Sequence, residues 1–181
     1  MTKDRDIALL DDCKRGDRQA LDSLVRRYER PVYNAAYRML GNPDEAADVT
    51  QTVFLKAFEN LDRFNPKYKL FSWIYRIAIN ESINQLKRRN KTETLAENVV
   101  SSSPGPQQML EAGGVSKEIQ TALMCIQEDH RAVIVLRHFS EYSYQQIGEI
   151  LQIPEKTVKS RLFSARKQMK IHLQEQGVLS A

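Results

Sequence analysis

Over residues 64–91 the chain reads FNPKYKLFSWIYRIAINESINQLKRRNK, and its polar residues form a pattern suited to nucleic acid. Arg76, Asn80, Asn84 and Lys87 recur at four, four and three residues, which aligns them on one face of a helix, with Arg88, Arg89 and Lys91 continuing the charge. Cationic side chains neutralise phosphates, and a carboxamide makes paired donor and acceptor contacts to a base edge. For a basic helix taken alone, a merely solvated face is the competing explanation. The loop before it shifts the balance. There Phe64, Tyr68, Phe71 and Trp73 interleave with Arg63, Lys67 and Lys69, the combination that stacks unpaired bases and holds the backbone of a single strand. Phe64 and Tyr68 are expected to be exposed, Phe71 and Trp73 to be mainly structural. From Lys56 to Lys91 nine basic residues stand against three acidic ones, Glu59, Asp62 and Glu81, so the positive excess is local.

A second cluster lies near the C-terminus. Val158, Leu162, Ala165, Met169 and Leu173 draw an apolar helical stripe, while Lys156, Lys159, Ser160, Phe163, Arg166, Lys167 and Lys170 occupy the other face. Phe163 has two readings: apolar contact with a thymine methyl in the major groove, or packing on the preceding helix. Upstream, Ser143-Tyr144-Gln145-Gln146 is a capping box that opens a short helix with Ile147, Ile150 and Leu151 inward. Gly148 within it points to a close crossing by another helix, because glycine costs about 1 kcal/mol there relative to alanine. Ile153-Pro154 makes the turn, with Pro154 in the first turn of the next helix. The pattern predicts a helix-turn-helix with its recognition helix over 154–173.

The elements that must position these clusters are all helical. A short helix over 7–14 stops at Gly16, and Asp17 caps a second helix with Ala20, Leu21, Leu24, Val25 and Tyr28 inward. Pro31 interrupts or restarts that helix, and Val32, Tyr33, Ala36, Tyr37 and Leu40 carry the stripe to Gly41. Asn42-Pro43-Asp44-Glu45 is a helix start with cap, N1 proline and a glutamate three residues on. The helix it opens buries Ala46, Val49, Val53, Phe54, Ala57 and Phe58. Asp44, Asp48, Gln51, Thr52, Leu55 and Glu59 face outward, toward solvent or a docked protein. After Lys91 the run NVVSSSPGP and the later Gly113-Gly114 are linker punctuation, with at most a helical turn over 107–112. Extended, residues 90–115 would reach roughly 80–90 Å, about two turns of B-DNA. Helices bearing Ile119, Leu123 and Ile126, then Ala132, Val133, Val135, Leu136 and Phe139, precede the helix-turn-helix. The expected architecture is all-α: two small helical domains, 1–91 and 115–175, joined by a flexible linker over 92–114, the second a four-helix helix-turn-helix domain.

Composition is consistent with this and removes other classes. The chain of 181 residues carries a net charge of +4 and is 41% hydrophobic, enough for real cores and mildly in favour of an acidic partner. Cys13 and Cys125 lie far apart, and His130, His138 and His172 form no ligand pair, so neither metal site nor disulfide framework is expected. No stretch has the length of a membrane span, the polar N-terminus is not a signal peptide, and a cytoplasmic location is expected. No glycine-rich phosphate loop or nucleophile–base arrangement appears, so the chain is not read as an enzyme and no cofactor or small-molecule substrate is expected.

Together, PDEAADVTQTVFLKAFENLDRF, FSWIYRIAINESINQLKRRN and YSYQQIGEILQIPEKTVKSRLFSARKQM resemble the extracytoplasmic-function (group IV) sigma factors of bacterial RNA polymerase, members of the sigma-70 family. The resemblance covers nearly the whole chain except linker and tails. It implies that the first domain melts and reads the minus-ten promoter element, the second reads the minus-thirty-five element, and the protein works only on core polymerase. By position it assigns Asp44, Asp48, Gln51, Thr52 and Leu55 to docking on the clamp helices of the largest polymerase subunit. The loop 64–70, with Phe64, Asn65, Lys67 and Tyr68, matches the one that captures a flipped minus-ten base. Arg76, Asn80 and Asn84, with Lys87 and Arg88, match the helix on the non-template strand. Lys159, Ser160 and Phe163, beside Lys156, match minus-thirty-five base readers, and Thr157, Arg161 and Arg166 stand where backbone contacts fall. It further implies contact with the flap of the second-largest subunit, and an anti-sigma factor, often membrane-anchored, that hides the DNA faces.

The chain departs from that family at several positions. Ala47 and Thr52 replace common acidic residues, Lys156 a glycine, Lys159 an arginine and Ser164 a basic residue. Lysine lacks the planar fork that grips guanine twice, so the usual minus-thirty-five sequence does not follow. A stand-alone helix-turn-helix regulator is the other reading; it explains the second cluster and leaves the aromatic loop and first basic helix idle.

Overall fold

The structure, a computed structural model, describes residues 2–95 and 117–178, with side chains over 6–92 and 117–178. The expected linker lies outside the described residues from 96 onward, as do its helical turn at 107–112 and the start of the second domain at Val115. The described residues form eight α-helices: α1 Thr2–Lys14, α2 Arg18–Leu40, α3 Pro43–Glu59, α4 Leu70–Leu95, α5 Lys117–Met124, α6 Glu128–Ile134, α7 Tyr144–Leu151 and α8 Glu155–Glu175.

Caps read from the sequence are in place. The Asp17 carboxylate accepts from the N–H groups of Gln19 (2.8 Å) and Ala20 (3.4 Å). At the other end of α2, Gly41 sits at φ 71° and donates to Tyr37 O at 2.8 Å, a left-handed stop that suits glycine. Asn42 accepts from Asp44 N–H (2.9 Å) and Glu45 N–H (3.0 Å) and so opens α3. Glu45 does not complete a capping box; its carboxylate accepts instead from Gln85 (3.2 Å) and Arg89 (3.4 Å) and ties α3 to α4. Pro31 does not interrupt α2, which runs through it. Buried residues on both sides, Leu24, Tyr28, Val32, Ala35 and Ala36, outweigh the loss of one ladder donor. α4 runs four residues past the expected boundary at Lys91.

α2, α3 and α4 pack on one another around Met39, Leu40, Val53, Ile74, Ala78 and Ile79, with α1 laid across α2. In the second domain α8 packs on α5, α6 and α7 around Leu123, Leu136, Ile147, Ile150, Val158 and Leu162. α6 continues through a π-helical turn at Val135–Phe139. Ser143 and Gln146 form both bonds of the capping box (3.2 and 2.8 Å). Gly148 is pressed by the turn itself: an added Cβ would lie 2.8 Å from Ile153 O. Pro154 serves as the residue before α8, with ψ 146°, not as its first turn.

The two domains touch, and their buried apolar residues form one continuous cluster. Arg38 is buried where they meet, its guanidinium 4.7 Å from the Phe139 ring and bonded to Gln120 Oε1 at 3.2 Å. Burial and the neighbouring Arg89 push the Arg131 guanidinium down to about 10, so it stays charged at neutral pH.

Candidate nucleic-acid interface

The loop before α4 is a compact turn. After a 3-10 turn at Leu61–Arg63, the Asn65 side chain accepts from Lys67 N–H at 3.0 Å, and Tyr68 N–H donates to Asn65 O at 3.0 Å. This geometry presents Asn65, Lys67 and Tyr68 outward, Tyr68 with 47% of its surface exposed. Phe64 is a correction. It is only 6% exposed and packs 5.5 Å from the Trp73 ring, because the 3-10 turn rolls it under the loop. Its role is to hold the turn down while Tyr68 supplies the exposed ring.

On α4, Asn80, Asn84, Lys87 and Arg88 are exposed along one face, with Lys91 beyond them. A shallow cleft of about 260 Å³ opens beside Asn80, walled by Lys56, Asn60, Arg63, Trp73, Ile77 and Glu81. The local positive excess is smaller than the residue count. Lys56 Nζ lies 2.7 Å from Glu81 Oε1, and Arg89 reaches Glu45 and Leu40 O. Arg76 departs from the expected face: its Nη2 donates to Glu149 O at 2.7 Å and its Nε to Ile150 O at 3.2 Å, both on α7. Helical register placed Arg76 correctly on α4, but the neighbour it meets belongs to the other domain.

On α8, Lys156, Lys159, Ser160, Phe163, Arg166 and Lys167 are exposed, Phe163 by 73%. That exposure removes the packing explanation for Phe163. Thr157 is half-buried, its N–H bonded to Pro154 O at 2.9 Å. Arg161 turns sideways to an ion pair with Asp129 of α6 at 2.7 Å and so braces α8. Lys159 pairs with Glu155 one turn back at 2.9 Å, its ammonium 5.8 Å from the Tyr144 ring, and the Glu155 hydrogen bond raises its pKa. Arg166 Nε donates to His138 Nε2 at 3.3 Å, which fixes the imidazole tautomer with its proton on Nδ1. Partial burial, then Arg166 and Arg137, hold His138 below its ordinary value. Sequence reasoning missed Glu155, His138 and Tyr144; the four-residue Glu155–Lys159 spacing was the available signal.

A third surface lies between α2 and α3. A cleft of about 610 Å³ is lined by Asp48, Gln51 and Leu55 of the expected stripe, and by Val25, Glu29, Arg30 and Tyr33 of α2. Leu55 is 57% exposed beside it. Asp44 stays exposed in the first turn of α3, and the Thr52 hydroxyl donates to Asp48 O at 2.9 Å. The α2 wall was missed because Val25 and Tyr33 read as part of the inward stripe of α2, and nothing in the sequence pairs Glu29 and Arg30 with α3.

The sigma-70 region 2 family model matches residues 24–92, and the sigma-70 region 4 model matches residues 116–169. SigW of Bacillus subtilis, an ECF RNA polymerase sigma factor, is 33% identical over 90% of this chain and 93% of its own. The chain belongs to the extracytoplasmic-function sigma factors. RNA polymerase sigma-H factor of Pseudomonas aeruginosa is 30% identical over 92% of this chain and 93% of its own. The fold is shared with CnrH, solved in complex with the cytosolic domain of CnrY (TM-score 0.72, 22% identity, 93% of this chain and 96% of that one). It is shared also with RpoE of Bartonella quintana, solved with the anti-sigma factor NepR (TM-score 0.70, 24% identity, 84% of this chain and 96% of that one). As a sigma factor this protein is a transcription initiation factor and not an enzyme; it recognises promoters in place of the housekeeping subunit. Among the described residues no group of three or more His, Cys, Asp or Glu is placed to hold a metal ion, and no helix is long and apolar enough to cross a membrane.

Proposed function

We propose that this sigma factor docks on core polymerase through the α2–α3 cleft, captures unpaired minus-ten bases with the loop before α4, and reads the minus-thirty-five element with α8. The observation that carries the reading is the exposure of Tyr68, Asn80 and Asn84 on the first domain and Phe163 on the second, each set among exposed cations. An exposed aromatic ring costs burial energy, which contact with a base recovers. Melting then needs no covalent chemistry. Bases stacked on Tyr68 and paired with carboxamides are removed from the duplex equilibrium, and the energy of capture offsets part of the unstacking cost.

On α8, Lys159 and Ser160 address base edges, Phe163 a thymine methyl, and Lys156 and Arg166 the flanking phosphates. Leu55 and the Tyr33 wall give the docking cleft an apolar floor between Asp48, Glu29 and Arg30, which suits a helical partner with its own charged rim. The protein works in the cytoplasm, where polymerase and promoter DNA are. An anti-sigma factor restrains it, a reading supported by the structure of RpoE in complex with the anti-sigma factor NepR, and a membrane-anchored one would hold it at the inner membrane.

Transcription in vitro from a library of random promoters, with core polymerase in the presence and absence of this chain, tests the reading. Transcripts that require the chain and share two motifs at fixed spacing are expected. Their absence, together with tight duplex binding by the chain alone, would favour a stand-alone regulator.

A further inference from the structure

The basic face of α8 carries one charge of the opposite sign. Between its end residues, Glu155 and Glu175, α8 contains six Lys and Arg residues and no acid. Glu155 stands at the end that matters for readout, since a recognition helix contacts bases through its N-terminal residues. Glu155, Lys159 and Phe163 follow at intervals of four, so the carboxylate shares the face that exposes the Phe163 ring. Phosphates repel a carboxylate, and so do the acceptor atoms of guanine. The major-groove groups it can accept from are the amino groups of cytosine and adenine.

The local geometry makes Glu155 half of a pair. Its Oε1 lies 2.9 Å from Lys159 Nζ, and that ammonium lies 5.8 Å from the centroid of the Tyr144 ring on α7. The Arg137 guanidinium, anchored on Tyr142 O at 2.9 Å, lies 5.2 Å from the same ring, so Tyr144 is a fixed support. A lysine ammonium rides on a flexible four-carbon stem, and here a carboxylate and a ring narrow its range before DNA arrives. Both partners keep about half of their side-chain surface exposed.

We infer that Glu155 and Lys159 together read one cytosine–guanine base pair of the minus-thirty-five element, in one orientation. An acceptor and a donor at hydrogen-bond distance match the major-groove edge of that pair, where cytosine N4 donates beside the guanine O6 acceptor. Glu155 accepts from N4, and Lys159 donates to O6. Turning the base pair round sets the carboxylate against guanine O6 and N7, two acceptors, and is rejected. An adenine–thymine pair presents N6 and O4 in the same order, with the thymine methyl group beside O4 to crowd the ammonium, and is the nearest competitor. Specificity thereby moves from the single guanine that a forked guanidinium would grip to a whole base pair. The inference rests on the proposed entry of α8 into the major groove. A carboxylate in the first turn also suits the positive end of the helix. That role changes stability and overall binding, but not which base is chosen.

The test is transcription from the random promoter library with core polymerase and the full chain, comparing the parent with Glu155→Gln, Glu155→Ala and Lys159→Ala, with melting temperatures measured alongside. At one position of the minus-thirty-five motif the parent should favour cytosine over the inverted pair by about tenfold. Glu155→Ala should lose that preference, and Glu155→Gln should turn it toward adenine, whose N6 and N7 a carboxamide addresses together. Lys159→Ala should weaken selection at the same position, and Glu155→Ala added to it should do little more, because the two act as a unit. A motif unchanged in both Glu155 variants, a change confined to melting temperature or total yield, or effects of Glu155 and Lys159 at different positions would each overturn the inference. Failure of the sigma reading would look different: no transcripts would depend on the chain, parent and variants alike, and the inference would fall with it.

Discussion

Phe163 and Tyr68 are the side chains whose cost to the free protein is plainest, since each exposes a ring that burial would stabilise. Phe163→Ala should leave thermal stability unchanged and weaken selective transcription from minus-thirty-five-containing promoters by roughly 1–3 kcal/mol, the range for one base contact; binding competition between matched and mutated elements measures it. His138 makes a pH prediction. Its folded pKa lies below the ordinary 6.5, so below that value the unfolded chain binds more protons than the folded one. The stability contribution is therefore fully present above pH 6.5 and is lost as pH falls, and protonation also removes the acceptor for Arg166. His138→Gln should flatten the dependence of melting temperature on pH between 7 and 5. At this scale the sequence revealed the exposed ring of Tyr68 but not the burial of Phe64, because that depends on a 3-10 turn and on Trp73 lying beneath it. The ion pair of Arg161 was likewise not legible, since its partner Asp129 lies on another helix.

The helices were legible wherever a boundary carried its own chemistry. Asn42, Gly41 and Ser143 mark ends that the structure places at those residues. Asn42→Ala should lose about 1 kcal/mol through two unpaired first-turn donors, measurable by urea unfolding. Gly148→Ala tests the turn of the helix-turn-helix: a Cβ 2.8 Å from the Ile153 carbonyl must push the turn away from α7 and should cost about 1–3 kcal/mol. Because the turn sets the angle of α8, minus-thirty-five recognition should fall further than stability does. Pro31 was not legible as a helical residue, since a local rule against proline in helix interiors competes with an apolar stripe whose strength depends on tertiary packing. The α2 wall of the docking cleft was missed for a related reason: a helix face shows that it belongs to a cleft only once its neighbour is positioned.

Over the whole molecule, two domains and their order followed from the change in composition after Lys91 and from two separate basic faces. Their mutual contact did not. Of the residues that make it, Arg76 read as DNA-facing and Gln120, Arg131 and Tyr142 gave no local signal, because the groups they meet lie more than 70 residues away in the chain. The same chain therefore presents a closed form in the structure and, in the proposed function, an opened form on polymerase that spans two promoter elements.

In the proposed function this chain opens promoter DNA by capturing non-template bases on the first domain while bound to core polymerase. The most direct test places 2-aminopurine in the minus-ten non-template strand of a promoter selected with this chain and follows its fluorescence. A rise that requires both core polymerase and the chain, and that is reduced at least tenfold in rate or amplitude by a combined Tyr68→Ala and Asn80→Ala substitution, is the expected result. No rise with core polymerase, or an equal rise from the doubly substituted chain, would contradict it.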